Sequence, residues 1–455
     1  MENDIELFRK SFERAFDATG SFCNRTLSTE AFDHSFRADS QVLAKSEGAL
    51  PVVDEEHAVQ LPIRKWFGKK TLKNSGKIGP HPDFKHLAGT DTVIWHHVTT
   101  MFVDITNSTR LALKYPLTDV RHIKNTILQV ASEAVRALDG HVHRFMGDAL
   151  MAYFGGQGQT KESSAMSAIS CAAMLQLLMK EVVTPGLVRK GFDPMDIGFR
   201  IGLDFGDDEE VLWSSYGFSE VHEVTATSFH VDAAAKLQGM ASKDAAMLGG
   251  NLVEFLDFPD VFTKVKNRIK NGERTDVPYL LPNYQSADNG PLNYAVRELH
   301  YENLLGILPL PTELKAQLVK DAIHHVGISF YGYVVDSTGI RRPYPSLSEC
   351  LGKDLELAFE LRVEHSTLIN MRWPLKVEFT VKNWGKAAAE ASALEAQIET
   401  IELTPQGNQP SAVSKPAIAR LERCTLYRGV HLAIVNVKDA RGNIVFADVI
   451  AVHIQ

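Results

Sequence analysis

Cysteine is scarce in this chain: four in 455 residues. Cys23, Cys171, Cys350 and Cys424 are too scattered for a disulfide framework or the close pairs of a zinc motif. Long apolar runs are missing as well. The longest candidate, Ile169 to Met179, contains Gln176 and falls short of the roughly 20 residues a membrane-spanning helix needs. Positive charge is not in excess, since 48 Lys and Arg against 56 Asp and Glu leave a net charge of −8. That balance weighs against general affinity for nucleic acid or a membrane surface; a phosphate site needs only a local cationic cluster. There is no glycine-rich P-loop, Rossmann fingerprint, nucleophile elbow or internal repeat. The first residues, MENDIELFRKSFERAF, are charged throughout and place Ile5, Phe8, Phe12 and Phe16 at helical spacing. This is the pattern of an amphipathic helix rather than a signal sequence, so a cytoplasmic protein is expected.

What the chain does contain is a pair of aspartates in informative settings. The run VIWHHVTTMFV, Val93 to Val103, is rich in β-branched and aromatic residues and predicts a buried strand ending at Asp104. Thr106, Asn107 and Ser108 follow as helix-start residues. An amphipathic helix carrying Val120, Ile123, Ile127, Val130, Ala134 and Leu138 closes at Asp139-Gly140. His141 to Met146, Gly147-Asp148 and Ala149 to Phe154 then read as strand, tight turn and strand, which puts Asp148 at a hairpin tip. Two carboxylates so placed suit two hard cations roughly 4 Å apart, the arrangement that in-line displacement at phosphorus requires. Backbone N–H groups of Thr106, Asn107, Ser108 and Thr109 would add a phosphate cradle at the helix start. Alone, either aspartate is an ordinary cap or turn residue.

Their order, the helix between them, and the later unit IGFRIGLDFG to FHVDAAAKLQGMA resemble the class III nucleotidyl cyclase catalytic domain over Val93 to Ala241. The resemblance implies an α+β fold, a ferredoxin-like βαββαβ core, and two metal ions, Mn²⁺ or Mg²⁺, held by Asp104, Asp148 and the Ile105 carbonyl. It puts Arg144 where purine cyclases usually carry a base-reading lysine, and Thr225 at the second base-reading position. Asp232 falls at the asparagine that orients the ribose, and Lys236 at the arginine that stabilises the pentavalent phosphorus. Both of these depart from the family pattern: Asp adds negative charge near a triphosphate, and Lys replaces a bidentate fork with a point charge. Read without the resemblance, Asp232 and Lys236 are an i, i+4 ion pair on a helix face. The family also implies a head-to-tail homodimer with shared sites. KIGPHPDF (Lys77 to Phe84) and VPYLLPNYQSADNGPLNYAVREL (Val277 to Leu299) narrow the likeness to bacterial antiphage Pycsar pyrimidine cyclases. Those imply a phage-triggered signal and a separate effector that responds to the cyclic nucleotide.

Three parts are expected: residues 1–89 as an N-terminal helix and extension, 90–305 as the catalytic domain, and 319–455 as a β-sandwich. The basic stretch from Trp66 to Gly89 reads as a solvated loop. LELAFELRV, LKVEFTVKN, ALEAQIETIEL, CTLYRGVHLAIVNVKD and NIVFADVIAVHI are strands separated by turns, the pattern of an antiparallel sandwich. This third part resembles the sensor domain that accompanies bacterial cyclases and nucleotidyltransferases; a ligand site, a lid and a dimer arm all remain open for it. His141 and His143 lack a third metal ligand at suitable spacing, and His96-His97 and His324-His325 are read as ordinary.

The expected function is a cyclase making a 3′,5′-cyclic nucleotide and pyrophosphate. A degenerate nucleotide-binding domain and a palm-type polymerase or dinucleotide cyclase are the alternatives. Arg144 presents two N–H groups to carbonyl acceptors, and Phe145, with His96, would narrow the space for a purine. Uracil carries acceptors at O2 and O4, whereas an arginine cannot satisfy the cytosine amino group. UTP is therefore favoured, with CTP the first alternative substrate and a purine triphosphate, as in an adenylate cyclase, the next.

Overall fold

The computed structural model describes residues 4–25, 58–73, 78–195, 197–218, 221–270, 272–286, 288–364, 371–404 and 416–455. The Cys23 side chain and Lys77 lie outside the described residues. The expected single strand from Val93 is two: β1 (Ile94–Trp95) and β2 (Val98–Ile105), in different sheets. The break is pinned by Asp208, whose Oδ1 accepts from both the backbone N–H (2.8 Å) and Nδ1 (2.9 Å) of His97.

Further strands are β3 (His141–Met146), β4 (Ala149–Phe154), β5 (Phe199–Gly206), β6 (Leu212–Phe218), β7 (Val221–Thr227) and β8 (Ala245–Gly249). After them come β9 (Thr263–Lys264), β10 (Lys266–Lys270), β11 (Glu273–Val277) and β12 (Val296–Leu299). A seven-stranded sheet runs β3-β4-β2-β5-β8-β12-β9. Its first four members, with helices Leu117–Ala137 and Lys161–Leu178 as crossovers, are the ferredoxin-like βαββαβ unit. β2 lies between β4 and β5, antiparallel to both, so the end of β2 and the β3–β4 turn meet at one edge of the unit.

The two crossover helices cover one face. Val120, Ile123, Ile127, Val130, Ala134 and Leu138 all enter the core with Met101, Val103 and Ile105, as the spacing predicts. The apolar stretch Lys161–Arg189 is long enough to cross a membrane by length and composition, but 83% of its most apolar window is buried inside the protein. Helix Phe229–Met240 lies on the opposite face, where Gly202 lets it come close. A Cβ there would fall 2.2 Å from both the Ala234 carbonyl oxygen and the Gln238 nitrogen. β6 pairs with β7 on one side and with β1 on the other, and Trp213 and Val224 bury against Tyr153 and Met151.

The N-terminal helix Asp4–Arg25 packs Ile5, Phe8, Phe12 and Phe16 into the main core. The basic stretch is not a solvated loop. Phe67, Phe84 and Leu87 are buried, and Arg64, Lys69 and Lys73 converge on Asp139 at 2.8, 2.5 and 3.7 Å. Lys69 and Arg64 together outweigh burial and hold the Asp139 carboxyl below its ordinary range.

The C-terminal region packs β14-β13-β16-β19 on β15-β21-β20-β17-β18. These are β13 (Ile328–Val335), β14 (Arg341–Pro343), β15 (Cys350–Leu351), β16 (Glu356–Val363), β17 (Leu375–Lys382), β18 (Gln397–Leu403), β19 (Ala417–Cys424), β20 (Gly429–Lys438) and β21 (Ile444–Ile454). The sandwich is antiparallel except for the short β15–β21 pair, which is parallel. ALEAQIETIEL contributes a strand only from Gln397. The sandwich does not stand apart: Val430, Leu432 and Ala451 share the main core with the catalytic helices. Cys171, Cys350 and Cys424 are free thiols.

Candidate active site

Asp104 and Asp148 come together as the sequence implies. The Ile105 N–H donates to the Asp148 carbonyl oxygen at 3.2 Å, tying the hairpin tip to the end of β2. Ser108 Oγ donates to the Asp148 carboxylate. Arg200, the partner of Asp104 across β2 and β5, donates through Nε at 3.0 Å and makes a second, shorter bond through its terminal nitrogen. Burial pushes the Asp104 carboxyl above the usual range; Arg200 opposes this, and the neighbouring Asp148 charge adds to it. Two crowded carboxylates offset by one guanidinium form a hard-oxygen donor set that suits Mg²⁺ or Mn²⁺. Ile105, the last residue of β2, lies between them in sequence and contact.

The phosphate cradle is narrower than expected. Thr106 spends both its N–H (2.9 Å) and its hydroxyl (3.2 Å) on the Gly198 carbonyl oxygen and is buried. Asn107 adopts the left-handed conformation that turns the chain into helix Ser108–Lys114. Ser108 and Thr109 remain in the first turn, whose N–H groups have no acceptor within the helix.

Arg144 on β3 ion-pairs with Glu223 on β7. The buried His143 ring is held down to about 4, chiefly by burial. Its one ring proton serves either the Gly79 carbonyl oxygen (3.1 Å) or Glu223 (2.7 Å). His141 also faces the Gly79 carbonyl oxygen, at 2.8 Å, so both histidines are polar neighbours rather than metal ligands. Thr225 Oγ1 lies 3.1 Å from the Tyr153 hydroxyl. Phe145 does not share the Arg144 side of the hairpin. It is paired with Leu150 of the main core, whereas Arg144 is paired with Met151 on the other face. His96 is also elsewhere, stacked on His97 at 4.2 Å at the far end of β2 from Asp104. Neither residue narrows the space beside Arg144 within one chain.

Asp232 and Lys236 lie one turn apart on the outward side of helix Phe229–Met240, both exposed. No ion pair joins them among the described residues. The helix start is anchored from below: Ser228 caps His230, and His230 Nδ1 lies 3.0 Å from the buried Asp204, which also accepts from the Tyr294 hydroxyl at 2.6 Å. His96, His97 and Asp208 bring ligand atoms within 4.8 Å of one another, but Lys161 takes the Asp208 carboxylate at 2.7 Å. A cation there would have to displace a cation already in place.

Sequence reasoning missed Glu223 and Arg200. Glu223 had a signal, because it stands two residues before Thr225 on a strand and so shares its face. Arg200 had none, since its position opposite Asp104 depends on register between strands about a hundred residues apart.

A ferredoxin-like sheet bearing one carboxylate at a strand end and a second in the adjoining hairpin turn, with a helix carrying Asp232 and Lys236 across its other face, defines the catalytic domain of a class III nucleotidyl cyclase. A cytidylate cyclase of Escherichia coli is 33% identical over 427 residues, 92% of each chain. A second E. coli cytidylate cyclase is 39% identical over 314 residues, 68% of this chain and 66% of that one. A uridylate cyclase of Burkholderia cepacia is 20% identical over 220 residues, 47% of this chain and 88% of that one. The adenylyl/guanylyl and SMODS C-terminal sensor domain family matches residues 317–455. The adenylyl cyclase CyaB from P. aeruginosa superposes with a TM-score of 0.37 at 16% identity, covering 46% of this chain and 94% of that one. The chain belongs to the Pycsar-like class III nucleotidyl cyclases that carry this sensor domain.

Proposed function

We propose that the protein is a pyrimidine nucleotide cyclase that converts CTP to 3′,5′-cyclic CMP and pyrophosphate, with UTP the second reading. The observation that carries the choice is the Arg144–Glu223 pair. Arg144 alone offers only donors, which favours uracil. Glu223 adds an acceptor beside them, and the resulting donor, donor, acceptor series complements the O2, N3 and amino edge of cytosine. Uracil presents acceptor, donor, acceptor and needs an alternating partner, which a third donor such as Thr225 would have to complete. The names of the more similar relatives support the same order.

Asp104, Asp148 and the Ile105 carbonyl would hold two divalent cations, which when bound acidify the ribose 3′-hydroxyl and neutralise the triphosphate. The first turn at Ser108 and Thr109 receives phosphate oxygens. Asp232 accepts from a ribose hydroxyl, and Lys236 meets charge developing on the phosphoryl oxygens. Lys236 stands on the outward side of its helix, on the opposite face of the sheet from the crossover helices. A second copy of the chain, head to tail, therefore brings it to the aspartates. Trp95, Tyr216, Phe218 and Val221, all more than half exposed around the β6–β7 hairpin, are apolar surface suited to such a contact. The cyclic product would act in the cytoplasm as a second messenger of antiphage defence, read by a separate effector. Incubating the purified protein with equimolar ATP, GTP, CTP and UTP and Mn²⁺ tests the reading. Cyclic CMP is expected as the main product, and predominant cyclic UMP would return the choice to uracil.

A further inference from the structure

The sandwich contains a cavity of about 120 Å³ between its two sheets, at the end where β19 leads through Leu426 and Tyr427 into β20. Leu357 and Phe359 wall it from one sheet, and Val452 and Ile454 from the other. Two polar atoms in this apolar slot lack partners. His431 is buried and gives its Nε2 proton to the Tyr427 carbonyl oxygen at 2.7 Å, which leaves Nδ1 as a buried acceptor with nothing to accept. Arg423 uses its terminal nitrogens on the Glu422 carbonyl (2.7 Å) and Glu399 (3.3 Å), while its Nε–H is buried without an acceptor. Buried polar groups left unpaired cost on the order of 1–3 kcal/mol each, so an orphan donor and an orphan acceptor on one cavity describe what its occupant must supply. The size is comparable to the roughly 150 Å³ that accommodates a benzene ring. Asn383 and Gln397 at the rim add amides that can pair with either kind of group.

We propose that this cavity is the ligand site of the C-terminal domain and that it takes a small planar heterocycle of the nucleobase class. The ring lies between the aliphatic and aromatic walls, an N–H of the ligand donates to His431 Nδ1, and a ring carbonyl or nitrogen accepts from Arg423 Nε. The site borders the catalytic domain. Arg428, next to Tyr427, donates to the Phe255 carbonyl oxygen at 2.9 Å and approaches Glu162 at 3.6 Å. Phe255 in turn stacks on Phe205 of β5 at 4.1 Å.

Isothermal titration of the full-length protein with cytidine, uridine, adenosine and guanosine tests the site. At least one nucleoside should bind at one per chain. Leu426→Trp, at an exposed position on the mouth, and His431→Phe should each weaken binding at least tenfold, with the fold checked by circular dichroism. Arg144→Ala should leave binding unchanged, which separates this cavity from the base-reading position of the active site. Absence of binding by all four nucleosides, survival in folded Leu426→Trp, or loss in Arg144→Ala would each overturn the assignment.

Discussion

Arg200 stands directly opposite Asp104 in the ladder between β2 and β5, and its guanidinium holds the carboxylate that a metal ion would need. Without a dication, Arg200 supplies the balancing charge; with one bound, the two cations compete for the same oxygens. Arg200→Ala is expected to lower the Mn²⁺ concentration for half-maximal activity several-fold. A fall in kcat with the Mn²⁺ requirement unchanged would instead assign Arg200 to the substrate. Asp104→Ala or Asp148→Ala should abolish turnover in a folded protein, and normal activity in either would remove the two-metal assignment.

Shared sites make a separate claim. Each chain carries one Asp104 and one Lys236, so a heterodimer of Asp104→Ala and Lys236→Ala chains has one intact site and one doubly defective site. Neither variant alone should turn over. An equimolar mixture, in which half the dimers are mixed, should recover about a quarter of the unsubstituted activity if subunits exchange freely. Heterodimers shown to form without recovering activity would count against the head-to-tail arrangement or against Lys236.

Local patterns made much of the site legible. The spacing of Val120, Ile123 and Ile127 fixed which side of their helix is buried, and Gly147-Asp148 fixed the hairpin. Long-range register did not show. Arg200 meets Asp104, and Glu223 meets Arg144, only because strands 79 to 96 residues apart in sequence are brought side by side. The split at His96-His97 was hidden for the same reason, since Asp208, which pins it, lies 111 residues later. In the sandwich, β13 and β19 were overlooked because their exposed Tyr331, Ile418 and charged residues blur the inward alternation of Phe330, Ala419 and Leu421.

The His230–Asp204 pair under the Asp232–Lys236 helix predicts a pH dependence. Burial pulls the His230 imidazole down, but the hydrogen bonds and charges of Asp204 and, at 3.4 Å, Glu210 outweigh it, so its folded value lies above the ordinary one. Burial also pushes the Asp204 carboxyl up, so the two titrate as a coupled pair. A raised imidazole contributes stability that is fully present below the unfolded value, near 6.5, and is lost as pH rises through the folded value. Asp204→Asn should therefore cost about 3 kcal/mol at pH 6 and progressively less above pH 7. Urea denaturation at pH 6 and pH 8.5 measures the difference. An equal loss at both would mean that the pair acts only through packing and the Tyr294 hydrogen bond.

Base choice gives the sharpest test of Glu223. If its carboxylate accepts from the cytosine amino group, Glu223→Gln keeps the size and an acceptor oxygen but loses the charge. A hydrogen bond to a charged group is worth about 1.5–3 kcal/mol against about 1 kcal/mol for a neutral one, so the ratio of kcat/KM for CTP over UTP should fall roughly 3- to 30-fold. Most of that should come from a slower CTP reaction, with UTP turnover changed little or improved. Arg144→Ala should depress both substrates, because both bases offer it O2, and should leave the Mn²⁺ requirement unchanged. The two variants differ in what they leave behind: Glu223→Gln retains a cationic fork, and Arg144→Ala leaves the Glu223 carboxylate beside His143, where it accepts from the cytosine amino group but repels the O4 of uracil. Residual activity in Arg144→Ala should therefore favour CTP. A CTP to UTP ratio that Glu223→Gln leaves untouched would confine Glu223 to holding Arg144 in place and would leave pyrimidine choice to Thr225 and to groups on the second copy of the chain.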